Sequence, residues 1–235
     1  MPDLIGFVKG LFRGSASAEP GKLGSDGDPI RQMLFGSQTL REQVKHIRFN
    51  GSAGPLSTIV EASKLVDSGK QQEAIASLHG ILDSANVETR TQLWVWSALR
   101  GLGERPEAKS AFEVLGAVIE TPMSGAYDTL AAYVDGSARY LNYSGKAIFW
   151  DAADSVSKQL CQNLVSSTIP ASAGAKPRTS LSLPRKGKQV TLLTRSGPFV
   201  IKGLPAGVDV AGEALMKELI RRATETEAGR GEVAG

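Results

Sequence analysis

Three polar residues in the stretch 135–146, DGSARYLNYSGK, are the first candidates for chemistry. On a strand through 137–143, alternation sets Arg139, Leu141 and Tyr143 on one face and Ala138, Tyr140 and Asn142 on the other. Arg139 and Tyr143, near Lys146, make a grip for an anionic ligand or a partner carboxylate, because guanidinium and ammonium groups give charge-assisted hydrogen bonds. A small-ligand sensor or enzyme would use this face together with Tyr127. A solvated or domain-interface face is the competing reading. A second group, Lys176, Arg178, Arg185, Lys186 and Lys188, puts five cations in one predicted loop. Such a loop can touch phosphates. It lacks the interleaved aromatics that stack bases, so nucleic-acid binding is the third-ranked function and a solubilising loop the plainer one.

The patterns that demanding chemistry needs do not occur. His46 and His79 fall in separate predicted helices, with no paired-histidine or Cys/His spacing, so no metal is expected. There is no Gly-x-x-x-x-Gly-Lys-Ser/Thr phosphate loop and no Gly-x-Ser-x-Gly nucleophile turn. Asp128, Asp135, Asp151 and Asp154 sit at predicted strand ends and turns, where carboxylates serve as turn and cap residues. The single cysteine, Cys161, lies among apolar neighbours and reads as a small buried hydrophobe. No catalytic residue, cofactor or metal is predicted.

The elements that must position these groups begin with a short amphipathic stretch, 1–13. Leu4, Phe7, Val8 and Leu11 follow helical spacing, with Phe12 beside them and Lys9 and Arg13 flanking the stripe. It reads as a docking segment for this protein or a partner, or as a peripheral membrane contact. It does not read as a secretory signal, and no apolar run approaches the roughly 20 residues that span a bilayer. A cytoplasmic protein follows as the expectation. Residues 14–29 read as a flexible linker, and Asp28–Pro29 opens a helix over 30–49 interrupted near Gly36.

Residues 56–122 carry helical stripes, with Gly69 and Gly103 punctuating two hairpins. A shift of 34 residues lays Gly69 on Gly103, Glu73 on Glu107, Ala74 on Ala108, Leu78 on Phe112 and Ile81 on Leu115. In its period, turn glycine, small alanine and large apolar residue, this stretch resembles the tetratricopeptide-repeat family. The small residue seven before the glycine is present as Ala62 but replaced by Trp96 in the second unit. The family's turn proline is missing near Asn86. The resemblance implies stacked helical hairpins that offer a groove to another protein. Trp94 and Trp96 are two apart and cannot share a helix face, so one is core and the other available at a seam or groove. With Arg100 they are candidate partner contacts.

Beyond Pro122 the pattern turns extended. Strands are predicted at 127–134, 137–143 and 146–150, a helix at about 152–168, a hairpin over 189–202 and a last helix capped by Asp209, with a frayed tail at 227–235. In that last helix Ala211, Ala214, Leu215, Leu219 and Ile220 are expected to face inward, as is Val156 in the helix before it. The fold class is α+β: a helical-repeat domain over 30–122, then a domain over 123–226 with order βββ-α-ββ-α. That order is similar to profilin-like and roadblock-like folds, and the segment 128–150 resembles stretches of uncharacterised bacterial proteins. At 235 residues, 41% hydrophobic and 22% charged, the chain can bury a core of useful size. Its net charge of +3 gives no strong pull toward nucleic acid or anionic lipid. The leading function is a non-enzymatic adaptor or assembly factor whose partner is another protein or peptide, with a second copy of the chain as an alternative.

Overall fold

A computed structural model of the chain describes residues 28–48, 54–123, 126–151, 154–184, 186–201 and 203–231. The stretch 1–13, with Leu4, Phe7, Val8, Leu11 and Phe12, lies outside the described residues, as do Arg185 and most of the linker. The chain forms two compact units. One comprises Phe35–Glu113 with Thr194–Gly197; the other comprises Val114–Leu193, Pro198 onward and the described residues of the segment ending at Leu34.

The first unit holds α2 (Leu40–Arg48), α3 (Pro55–Asp67), α4 (Gln71–Leu82) and α5 (Thr89–Gly101). Thr39 and Glu42 start α2 as a reciprocal pair. The Thr39 backbone N–H donates to Glu42 Oε2 at 2.8 Å, and the Glu42 N–H donates to Thr39 Oγ1 at 3.3 Å. Helices α3 and α4 pack as a hairpin, α5 packs on α4, and α2 touches both α3 and α5. Ile59 and Ala62 of α3, Ala74 and Leu78 of α4, and Leu93 and Leu99 of α5 fill the space between them. Gln43 stitches this core, donating to the carbonyls of Gln38 at 2.8 Å and Trp94 at 3.0 Å. Gly36, at φ +57°, lies so close to α5 that a Cβ there would stand 2.5 Å from Leu93 Cβ.

Of the second predicted hairpin only the first helix forms. Gly69 and Gly103 both take the positive φ expected of turn glycines, +76° and +95°. After Gly103, however, the chain runs through turns, and Val114–Pro122 is strand β1, not helix. Pro106 removes a backbone donor and disfavours the helical region for Arg105. Leu115 and Ile119, spaced like a helix stripe, belong instead to a continuous buried run, VLGAVIE, that a strand covered on both faces produces equally well. Phe112, expected to fill a helix–helix groove, is 66% exposed.

The second unit opens with α1 (Pro29–Leu34), capped where Asp28 Oδ1 accepts from the Ile30 N–H at 2.9 Å. Strands β1, β2 (Tyr127–Tyr133), β3 (Ala138–Leu141) and β4 (Ala147–Trp150) precede α6 (Ser155–Ser172). The short β5 (Lys176–Pro177), β6 (Gln189–Thr194), β7 (Gly197–Ile201) and α7 (Ala206–Gly231) follow. The fold class is α+β, with an antiparallel seven-stranded sheet ordered β4-β3-β2-β1-β6-β7-β5. The observed order is ββββ-α-βββ-α rather than βββ-α-ββ-α, because β1 was hidden in a helix-like pattern and β5 is only two residues long. The described helix also continues through 227–231, where the sequence suggests a tail.

One sheet face, with Ile119, Leu130, Tyr140, Val190 and Leu192, packs against Leu164 of α6 and Leu215 and Leu219 of α7. Gly212 lets α7 come down onto β1: a Cβ there would lie 2.6 Å from Ile119 Cδ1. Glu120 neighbours Ile119 in β1 and so points to the opposite face. There Arg31 Nε donates to Glu120 Oε1 at 2.8 Å, and Arg178 Nη1 donates to Oε2 at 2.7 Å. All three side chains are almost fully buried.

Candidate functional site

The sheet-face group of Arg139, Tyr143 and Lys146 does not assemble into a grip. Arg139 is 1% exposed. It donates to the carbonyls of Ala138 at 2.7 Å and Trp150 at 2.6 Å, bonds the Asp151 carboxylate, and lies over the Phe149 ring at 5.6 Å. A buried guanidinium is costly unless it is paired, and here both terminal nitrogens are spent on β3, β4 and Asp151. Tyr143 is exposed, and its backbone N–H donates to Asp128 Oδ1 at 2.7 Å. Lys146 is exposed at the start of β4.

The basic loop is likewise broken up. Arg178 turns inward, giving Nη1 to Glu120 and to Thr191 Oγ1 at 2.6 Å, and holding the Ser180 and Ser182 carbonyls at 3.0 and 2.8 Å. Lys188 pairs with Asp209. Only Lys176 and Lys186 remain as exposed cations among the described members of the group. In the helical unit, Trp94 is core at 4% exposure, whereas Trp96 is half-buried and meets the His79 ring edge-on at 6.1 Å. Arg100 donates to the Arg195 carbonyl; burial, reinforced by Arg105, lowers its pKa to about 10.

Two features that flank α7 were not foreseen. The first is an apolar cleft between α6 and α7 of about 470 Å³. Leu160 and Asn163 line it from α6, and Ala206, Gly207, Val210, Ala211 and Ala214 from α7. Val210 stands 70% exposed at its rim, and Val156 of α6 is 54% exposed. Val156, Ala214 and Ile220 therefore do not face inward as the helical stripes predict; Leu215 and Leu219 do. The small residues of α7 leave the cleft open.

The two helices are locked where α6 begins. Asp154 caps α6 by accepting from the Val156 and Ser157 N–H groups at 3.0 Å, and Arg222 of α7 donates to the same carboxylate. Arg222 also bonds Glu218 and lies 4.6 Å over the Trp150 ring. Arg222 and the Ser157 N–H hold the Asp154 carboxyl well below the usual range, and Arg221 with Arg222 lowers Glu218 to about 2. Both groups are depressed relative to unfolded values of about 4, so their contribution is full above that pH and is lost as pH falls toward about 2. The thermal midpoint of the chain should drop through this window. Arg222→Ala should flatten the drop, and parallel curves for variant and parent would rule the network out as its source.

The second feature is a cavity of about 200 Å³ with a mixed apolar and charged lining, on the other flank of α7, over β1, β2 and β3. Tyr140 donates its hydroxyl to Asp128 Oδ2 at 3.0 Å and accepts from Asn142 Nδ2 at 3.2 Å. Burial pushes its pKa up to about 12, so it stays a neutral donor. Nothing in either feature is an activated nucleophile. Cys161 lies buried with its thiol toward the Gly136 carbonyl at 3.2 Å, and burial raises its pKa to about 12. Among the described residues, no cluster of three His, Cys, Asp or Glu side chains could hold a metal. No described helix is long and apolar enough to cross a membrane.

No protein family, no curated protein and no solved structure matches this chain. The sequence did carry a trace of the cleft: Ala206, Gly207, Val210, Ala211 and Ala214 form a small-residue flank on α7 beside its buried stripe. Small residues on a helix permit close packing or leave a groove, and only the placement of α6 decides between them.

Proposed function

We propose that the chain is a non-enzymatic interaction module, an adaptor or assembly factor, that receives an amphipathic helix of another protein in the α6–α7 cleft. The observation that carries this reading is the cleft itself: seven lining residues without a charge among them, and an aliphatic rim at Val210 open to solvent. The stretch of α7 that lines it, residues 206–214, runs about 12 Å, enough to seat two turns of a helix. Each Val- or Leu-sized side chain buried there contributes about 1.5–3 kcal/mol. A helix fits better than an extended strand, because paired helices present a groove and not an unpaired backbone edge.

On this reading the docking surface lies in the α+β unit and not in the helical unit. Helices α2–α5 support the reading only as a second helical surface, in which Trp96 is the half-buried aromatic. A cytoplasmic location fits the single, buried thiol. The test is photo-crosslinking in cells from the full chain, with the crosslinker at Val210, at Asn163, or at Lys158 as a control away from the cleft. The reading expects one shared protein adduct from positions 210 and 163, lost with Ala214→Arg and absent from 158. No adduct at 210 and 163, or the same adducts at all three sites, would overturn it.

A further inference from the structure

The cavity on the far flank of α7 is separate from the cleft, and the interaction reading leaves it without a role. Its floor is apolar: Ile119 and Leu130 from the sheet, with the flexible thioethers of Met123 and Met216 at its sides. Its polar lining is uneven in charge. Asp128, Asp209 and Glu213 bring three carboxylates against one ammonium, Lys188, which is already bonded to Asp209. Asp128 accepts from the Tyr140 hydroxyl and the Tyr143 N–H, which fix its position in the cavity wall. Glu213 is exposed, and its approach to Lys217 is a loose 3.6 Å across solvent. The cavity is also not an accident of poor packing. Gly212 brings α7 against Ile119, so the space lies beside a close helix–sheet approach.

We propose that this cavity binds a small organic ammonium ion. The cationic head sits between Asp128 and Glu213, where charge-assisted hydrogen bonds to carboxylates are available. The apolar body lies on Leu130 and between the two methionines. The volume is below the roughly 300 Å³ at which drug-sized pockets begin, which sets the ligand at the scale of a short alkylamine. An anion of the same shape is rejected, because it would meet two carboxylates and an ammonium already paired. A bare inorganic cation gains nothing from the thioether and aliphatic walls.

The experiment uses the full chain and three probes: n-hexylammonium, hexanoate and inorganic ammonium. The chain has four methionines, so its methyl spectrum is simple to read. Titration with n-hexylammonium should shift the Met123 and Met216 methyls saturably and leave Met33, buried elsewhere in α1, unmoved. Hexanoate and inorganic ammonium should shift none of them. Glu213→Gln, at an exposed position, should weaken n-hexylammonium binding about tenfold without changing the thermal midpoint. Met216→Trp should abolish binding by filling the space. Equal responses to n-hexylammonium and hexanoate, no saturable shift, or binding that survives Met216→Trp would each overturn the proposal. Crosslinking from Val210 is independent of every one of these results.

Discussion

Glu120→Gln destabilises the α+β unit by about 3–5 kcal/mol, the range found when one partner is removed from a buried ion pair. The carboxylate is fully buried and shared: Arg31 approaches from α1 on one side and Arg178 from the loop after β5 on the other. Glutamine keeps the shape and removes the charge, so two buried guanidinium groups lose their common counter-ion. Urea denaturation followed by near-ultraviolet circular dichroism measures the effect. The triple change Arg31→Met, Glu120→Leu, Arg178→Met should recover most of the loss, because replacing a whole buried ionic cluster with apolar groups is often neutral or better. A Glu120→Gln protein as stable as the parent would show that the cluster does not hold the sheet's second face. Arg178 is also the loop's internal organiser, so the same variant should speed proteolysis within 178–188.

The second large effect is Gly36→Ala, in the helical unit. At φ +57° an alanine costs about 1–2 kcal/mol from its own Cβ. The new methyl also meets Leu93 Cβ at 2.5 Å, and overpacking of this kind adds about 1–3 kcal/mol. A combined loss of about 2–5 kcal/mol is expected, read as an earlier unfolding midpoint. Leu93→Ala in the Gly36→Ala background should not return the loss, because alanine keeps the Cβ that the new methyl meets. If Gly36→Ala leaves the midpoint unchanged, the close approach of the 35–39 turn to α5 is wrong.

The balance between what the sequence discloses and what it hides follows from periodicity. Helices α3, α4 and α5 are legible because the apolar spacing and the turn glycines Gly69 and Gly103 agree. Strands β2, β3 and β4 are legible because Asp135–Gly136 and Ser144–Gly145 mark their turns. Strand β1 is not legible as a strand. A strand covered on both faces has no alternation, and Leu115 with Ile119 satisfies helical spacing by coincidence. That one ambiguity turned a strand into the second half of a repeat and moved the apparent domain boundary from 113 to 122.

The candidate site was less legible than the fold. Arg139 and Arg178 draw attention as cations, and both are consumed by burial. Whether a cation faces solvent or a carboxylate depends on contacts far apart in sequence: Arg31 meets Glu120 across 89 residues. The cleft depends on which flank of α7 adjoins α6. The cavity depends on Met123, Asp128, Lys188 and Glu213 converging from four separate segments. Apart from the α7 flank of the cleft, none of these leaves a local signature.

The central claim is that α6 and α7 together offer a seat for a foreign helix. The most direct measurement places a photo-reactive residue at 210 in the otherwise unaltered full chain and identifies what it captures, with position 158 as reference. The account predicts a discrete protein adduct, mapped to an amphipathic helical segment of that protein, at 210 alone of the two. Adducts indifferent to position, or none, would contradict it.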